Sequence, residues 1–399
     1  MSVEIRTCTR DEVHDALAPI SHFFGRRPDP ERTERHLRVL EPERMHAAWD
    51  GGRAVGSAGA FSFRLTVPGA RVPAAGITMV AVAPTHRRRG ILTAMTRAQL
   101  DDVHRRREPL AVLWASEETI YGRFGYGMAV QSGYIELVRR YAAFREPMAA
   151  VEGRLVDQEE ALELVPPIYE RIAAETTGML ARSEDWWATR VITSESPPWA
   201  RQGEQLCVVL EVDGQPAAYA LYRVEPSWAA GSSTGVVDVA EAMGASSQAT
   251  AAIWRYLLDV DWLERVQASH LPVDHPLWLL LAEPRRMGFR LEDSLWLRLV
   301  DVGTALSART YAGPGSVVFE VSDEFCPWND GRYALDGSRT TASPDLRLTV
   351  DALGCVFLGG FTFSDLLRAG RLEEVKEGAI GRADALFRTD RKPWCPEIF

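Results

Sequence analysis

Cysteine is scarce in this 399-residue chain: Cys8, Cys207, Cys326, Cys355 and Cys395 are odd in number, widely spaced and form no C-x-x-C pair. That set excludes a disulfide framework, and without a histidine pair at ligand spacing it offers no zinc site, so no metal is expected. Long apolar runs are also missing. The longest, such as 77–83, fall far short of the roughly 20 residues a spanning helix needs. The opening MSVEIRTCTR carries charge where a signal peptide has an apolar stretch. Basic charge is in deficit, with 45 Lys and Arg against 55 Asp and Glu and a net charge of -10. This balance counts against nucleic-acid partners and favours cationic ones. The expectation is a reduced, cytoplasmic protein without a membrane or nucleic-acid partner.

Hydrophobic residues at 46% and charged residues at 25% are ordinary for a packed globular protein. At about 150 residues per domain the length allows two or three domains. Helical segments around 10–20 and 30–40 give way to strand chemistry at 45–49 and 54–65, joined by the turn Asp50-Gly51-Gly52. A strand over 76–82 precedes Pro84-Thr85-His86-Arg87-Arg88-Arg89-Gly90, then a helix over 91–106 and an apolar strand over 110–115. The middle third repeats this order. After a helix over 158–174, a hairpin spans 206–212 and 217–224, followed by a strand at 236–240 and a helix at 246–258. There Met243-Gly244-Ala245-Ser246 stands in place of the arginine-rich loop. A duplicated fold whose second copy lost its anion site fits this pattern. The last third changes character near 300–308, with strands at 316–321 and 346–350, short helices at 351–358 and 363–369, and 382–387 leading to the terminus.

The first copy's loop carries chemistry. Arginines before a helix start bring guanidinium groups, exposed backbone N–H groups and the positive helix end toward one anion, and Gly90 lets the backbone approach it closely. Ile91 and Met95, one turn apart, would anchor the helix to the sheet. A pyrophosphate is the natural ligand; the alternative is a solvated turn.

Val80-Ala81-Val82-Ala83-Pro84 followed by Arg87-x-x-Gly90 resembles the acetyl-CoA signature of the GNAT N-acetyltransferases, except that Leu92 replaces a small residue. With Ala115-Ser116-Glu117, Tyr121-Gly122-Arg123-Phe124-Gly125-Tyr126-Gly127 and the terminal Phe399, the chain is similar to the Eis (enhanced intracellular survival) acetyltransferases. The resemblance implies an α/β (α+β) architecture of two tandem GNAT-like domains, the second degenerate, plus a C-terminal sterol-carrier-like domain. The corresponding boundaries are 1–142, 143–299 and 300–399. It also implies acetyl-CoA as co-substrate. Val80, Ala81 and Val82 would bind its pantetheine arm, and Arg88, Arg89, Gly90, Ile91, Leu92 and Thr93 its pyrophosphate. Ser116 and Glu117 would add contacts from the next strand, although these two could equally cap the following helix.

Acetyl transfer from a thioester to an amine requires a deprotonated amine, oxyanion stabilisation and a proton for the leaving thiolate. By resemblance Tyr121 is the acid, with Tyr126 its rival and aromatic packing the alternative for either, and the terminal carboxylate of Phe399 is the base. The tail Trp394-Cys395-Pro396-Glu397-Ile398-Phe399 is apolar and proline-stiffened, which suits burial. An α-carboxylate of reference pKa about 3.5 needs burial or a relaying water to take a proton from an ammonium. Glu397 is a second candidate base and a substrate-binding group for a cation, or else a solvent-facing carboxylate. His22, His46 and His86 are further conceivable bases. Cys395 lacks an adjacent histidine and is discounted as a nucleophile.

The resemblance implies aminoglycoside amines, polyamines or lysine side chains as acceptors, direct attack in a ternary complex, and assembly as a hexamer. Acceptor contacts are expected in 23–29 and around Thr78 and Met79, whereas Trp186 and Trp187 are expected to pack. Two other readings remain. A tandem-fold aminoacyl transferase of the cell-wall peptide type would need a basic groove for aminoacyl-tRNA. A non-catalytic acyl-CoA or lipid binder would need a deep apolar tunnel within 300–399.

Overall fold

Alternating apolar residues around the turn at Gly51 and Gly52, with φ of 58° and 79°, fold the first third into a meander. The computed structural model describes residues 3–27, 29–148, 151–193 and 203–399. It divides into two compact units, Met1–Val130 with Ser294–Asp390 and Ile398–Phe399, and Gln131–Asp293 with Arg391–Glu397.

In the first unit, Glu4–Thr7, His46–Asp50, Arg53–Val67 and Ala70–Val82 run antiparallel in that order. Ala70–Val82 then pairs in parallel with Leu110–Trp114, and Leu295–Leu299 and Gly127–Met128 complete the sheet. The helix Ile91–Arg105 is the crossover between the parallel strands. Ile91 and Met95 are buried against Ala48, Val55 and Ala58, as their spacing predicts. Farther along the same helix, Leu100 and Val103 join a cluster with Ala60, Ile77, Ala111 and Leu113.

The rest of this unit is a four-stranded sheet of Gly331–Tyr333, Phe319–Ser322, Leu346–Thr349 and Leu372–Glu374, with helices around it. The helix Val350–Phe357 is buried on all sides except Asp351. Gly127 and Gly354 let it lie directly on the first sheet, since a methyl at Gly354 would come within 2.6 Å of the Leu297 carbonyl. The interior is filled by rings: Phe363 lies 4.9 Å from Phe387 and 5.6 Å from Phe319, centroid to centroid.

The second unit repeats the plan in the order Arg290–Asp293, Gln131–Val138, Arg265–Leu271, Val236–Gly244, Gln215–Glu225, Leu206–Val212, Gly153–Val156. Val236–Gly244 and Arg265–Leu271 are the parallel pair, joined by the helix Ser247–Asp259. The sheets exchange a strand in sequence. Gln131–Val138 follows the first fold yet belongs to the second sheet, and Leu295–Leu299 follows the second fold yet sits in the first. Both parallel pairs are therefore flanked by an antiparallel strand from beyond the expected domain edge.

Candidate active site

The parallel pair in the first sheet is hydrogen-bonded only from Ala74↔Leu110 to Gly76↔Val112. Beyond that point Ala70–Val82 continues for six residues while the strands part. The register of Ala70–Val82 against Arg53–Val67 shifts between Ser57 and Gly59, and Met79 takes a positive φ of 53°. The Ser57 hydroxyl donates to the Met79 carbonyl at 2.7 Å and holds this bulge. A wedge results, with Ile77 and Val80 on one arm and Leu113 and Ala115 on the other, all in one apolar cluster. Ala81 and Val82 remain paired to Ser57 and Gly56 on their other side.

At the end of the long arm, Arg88 and Gly90 both have positive φ, 62° and 77°, and Gly90 is the N-terminal cap of the helix Ile91–Arg105. No side chain caps this helix start. Nothing lies within 4 Å of where a Gly90 side chain would stand, and Arg87, Arg88 and Arg89 are exposed. The first-turn N–H groups of Ile91, Leu92 and Thr93 and the three exposed arginines are donors of the kind a diphosphate takes, and they make up the candidate cradle. The Ile91 side chain is buried and Leu92 half-buried, so what these two present at the helix start is backbone while their side chains pack.

The second fold lacks this cradle. Ser246 caps the helix Ser247–Asp259 by accepting the Ala249 N–H at 3.1 Å, and Gly244 presses against the Thr250 backbone. Its helix start is thus occupied by its own chain, as the missing arginine loop suggests.

Tyr121 ends the short helix Glu118–Tyr121 and packs in the cluster that lines the wedge. Burial, with a smaller contribution from the Glu117 charge, pushes its phenol up to about 12. Among the described residues its hydroxyl has no protein partner. Tyr126 lies 6.0 Å away, fully buried, with its phenol pushed higher still by desolvation. Exposed Glu117 occupies the cap position of Tyr121's helix without a side-chain cap hydrogen bond, so its carboxylate is not consumed by capping. Ser116 beside it is exposed as well.

Phe399 lies where the wedge begins. Its ring meets Phe63 edge-on at 5.1 Å, and a methyl at Gly76, the last paired residue, would stand 3.3 Å from it. Glu397 differs from expectation. It is 5% exposed, one carboxylate oxygen binds Arg182, and the other accepts from Trp186 Nε1 at 3.2 Å. A carboxylate so engaged is neither solvent-facing nor free to meet a substrate cation, and the substrate-binding expectation for Glu397 is corrected on that ground. Sequence reasoning missed Arg182 because its partner is 215 residues away.

Trp186 and Trp187 are buried. Of the histidines, His86 is tied to Asp50 at 3.1 Å and Thr85 at 2.8 Å. His46 is buried, which pushes its imidazole down and keeps it neutral. Phe23 and Phe24 are 49% and 52% exposed and stack edge-on, while Pro28 lies outside the described residues. No cluster of metal-ligating side chains occurs among the described residues, and none of their helices is long and apolar enough to cross a membrane.

Residues 4–129 and 178–299 each match an acetyltransferase (GNAT) domain family, and 302–396 a sterol carrier protein domain family. The N-acetyltransferase Eis of Mycobacterium tuberculosis is 37% identical over 365 residues, covering 86% of this chain and 85% of the relative. This chain belongs to the Eis family of GNAT N-acetyltransferases. An uncharacterised N-acetyltransferase of Streptomyces avermitilis is 42% identical over the full length of both chains. The crystal structure of Eis1 from Mycobacterium abscessus superposes with a TM-score of 0.87 at 36% identity, covering 99% of this chain and 100% of that one. The Eis-family chain described here is therefore an N-acetyltransferase with tandem GNAT folds and a sterol-carrier-like domain, and an acyl-CoA is its co-substrate.

If the cradle holds the diphosphate, replacing both Arg88 and Arg89 by alanine is expected to raise the KM for acetyl-CoA about 10- to 100-fold and leave kcat within about twofold. Initial rates across acetyl-CoA concentration check this. An unchanged KM would return the arginines to a solvated turn.

Proposed function

We propose that this chain moves an acetyl group from acetyl-CoA directly to an amine of a cationic, multi-amine acceptor: an aminoglycoside, a related polyamine or a lysine side chain. Val80, Ala81 and Val82 hold the pantetheine arm along the free edge of the bulged strand. Arg88, Arg89 and the first-turn N–H groups of Ile91 to Thr93 take the pyrophosphate, and Ser116 and Glu117 flank the cofactor from the other arm. The amine nitrogen attacks the thioester carbon in a ternary complex, a C–N bond forms, and the C–S bond breaks. The Phe399 carboxylate accepts the proton the nitrogen loses, the Tyr121 hydroxyl donates a hydrogen bond to the departing sulfur, and CoA leaves as the thiolate and takes its proton from solvent.

The observation that carries this reading is the Phe399 ring at the root of the wedge, which brings the last residue to the place where the strands open. Net charge favours a cationic acceptor. Packing of Phe319, Phe363 and Phe387 against one another runs against a lipid tunnel in the C-terminal domain. A hexameric, cytoplasmic enzyme is the corresponding expectation from kinship.

With a multi-amine aminoglycoside present, free thiol is expected to appear from acetyl-CoA well above a no-acceptor control. Mass spectrometry of the acceptor should show additions of one or more acetyl groups. Acetyl-CoA binding without acceptor-dependent release from aminoglycosides, polyamines or lysine peptides would overturn the reading.

A further inference from the structure

The second fold contains the same strand parting as the first. Val236–Gly244 and Arg265–Leu271 pair only from Val236↔Arg265 to Val239↔Ala268, then diverge. A register shift between Leu221 and Tyr222 bulges the first of these arms, and His270 on the second has a φ of 56°. In the first fold the equivalent opening is where the pantetheine arm is read to lie. Here protein spans it. Past the last pair on one arm, the His270 carbonyl accepts Trp394 Nε1 at 2.5 Å. Past the last pair on the other, Glu241 receives Arg182 through both oxygens at 2.9 and 2.6 Å, and Arg182 also donates to Glu397. The Trp394 N–H donates to the Thr177 carbonyl at 2.8 Å, and its ring packs against the buried cluster that includes Tyr169, Trp187 and Met243. Gly178 has no room for a side chain, because a methyl there would stand 2.8 Å from the Trp394 carbonyl.

The anchoring charges are out of solvent, with side-chain exposures of 2% for Arg182, 7% for Glu241 and 6% for Glu397. The guanidinium lies 3.9 Å from the Tyr169 ring centroid and 4.4 Å from that of Trp187, and the Tyr219 hydroxyl donates to Glu241. A buried ion cluster is a weak source of stability compared with apolar packing, and its best-attested use is to fix one arrangement. A planar guanidinium fork specifies direction as well as charge. Chain ends held only by apolar contact fray. Phe399 follows Glu397 by two residues, a span of at most about 7 Å, so slippage at Glu397 passes directly to the terminal carboxylate.

We propose that the second acetyltransferase fold is a socket for the chain's own residues 391–397, and that Arg182, with Glu241 and Glu397, is a clamp positioning the carboxylate of Phe399. This rests on the reading of that carboxylate as proton acceptor. Glu397 is a positioning residue here, and its sequence pattern alone gave no sign of the partner that makes it one.

The test compares Glu397→Gln, Trp394→Phe and a protein lacking Phe399 with the parent, measuring kcat, acetyl-CoA KM, melting temperature and the rate at which carboxypeptidase A releases the last residue, by mass spectrometry. Glu397→Gln leaves Arg182 paired with Glu241, and Trp394→Phe removes the His270 bond together with part of the ring's packing. For Glu397→Gln, kcat is expected to fall about 10- to 100-fold with KM within about twofold. Release of Phe399 is expected to quicken about tenfold or more, with a smaller change in the same sense for Trp394→Phe. Unchanged kcat and release in both variants, or a lower melting temperature alone, would overturn the clamp. If removing Phe399 leaves kcat intact, the carboxylate reading fails instead, and the release rates of the two point variants still decide the socket.

Discussion

Converting the Phe399 carboxylate into an amide is expected to lower kcat by about 10² or more, some 2.7 kcal/mol of transition-state stabilisation. The amide keeps the ring on Phe63 and the shape of the tail while removing the charge and the basic oxygen. A tag appended beyond Phe399 makes the same change and adds bulk at the root of the wedge, so it should be at least as damaging. Phe399→Ala keeps the carboxylate and loses the ring contact at 5.1 Å. It should cost less than the amide if the charge carries the effect, and more if the ring does. Chemical ligation of an amidated C-terminal peptide, followed by steady-state rates at saturating acetyl-CoA, separates the two. Amidated protein with full turnover would remove Phe399 from the mechanism and leave the proton to a water.

This expectation also shows why parts of the site were readable in the sequence and others were not. The arginine loop was legible because everything it needs is local: Gly90 at positive φ, a helix start and three guanidinium groups lie within four residues. The first meander was legible for the same reason, since turn glycines and alternating apolar residues mark it. The capped helix start of the second fold was foreshadowed by Ser246 replacing the arginines. Illegible were the features made by distance. Leu295–Leu299 is not singled out as a strand by its sequence, and nothing in it announces pairing with Leu110–Trp114. Glu397 looks like any polar residue in a tail until Arg182 is seen beside it. The helix read at 158–174 was legible by contrast, and it runs Gln158–Glu175 through Pro166 and Pro167, against their local preference, with Val165, Ile168 and Tyr169 buried in the core around it. Conversely, Tyr121 and Phe399 entered as candidates through kinship, and their roles are proposals; the one packs in the apolar cluster of the wedge and the other lies beside Phe63 and Gly76.

Tyr121→Phe is the second large effect. Burial and the Glu117 charge hold the phenol near about 12, so it stays protonated wherever the enzyme would be assayed. Full ionisation by a thiolate of cysteine-like reference pKa would be uphill by ~5 kcal/mol. In the proposed mechanism the group is therefore expected to donate a hydrogen bond to the developing thiolate, while the nitrogen proton leaves through the carboxylate. Loss of that donor is expected to lower kcat by about 10² to 10⁴, toward the lower end because no complete proton transfer is forfeited. Acetyl-CoA KM should change little. The sign of the pH dependence follows from the raised value. A phenol ionising near 12 instead of its ordinary 10 gives the parent no falling limb of kcat below about pH 10, so parent and variant profiles should run parallel. Folding stability carries the matching signature: ionisation of the unfolded phenol draws the parent's stability down, relative to the variant, as pH rises from 10 through about 12. Steady-state rates from pH 6 to 10 with a melting series at higher pH test both. A variant that loses acetyl-CoA affinity or its fold in proportion to activity would make Tyr121 a packing residue of the wedge.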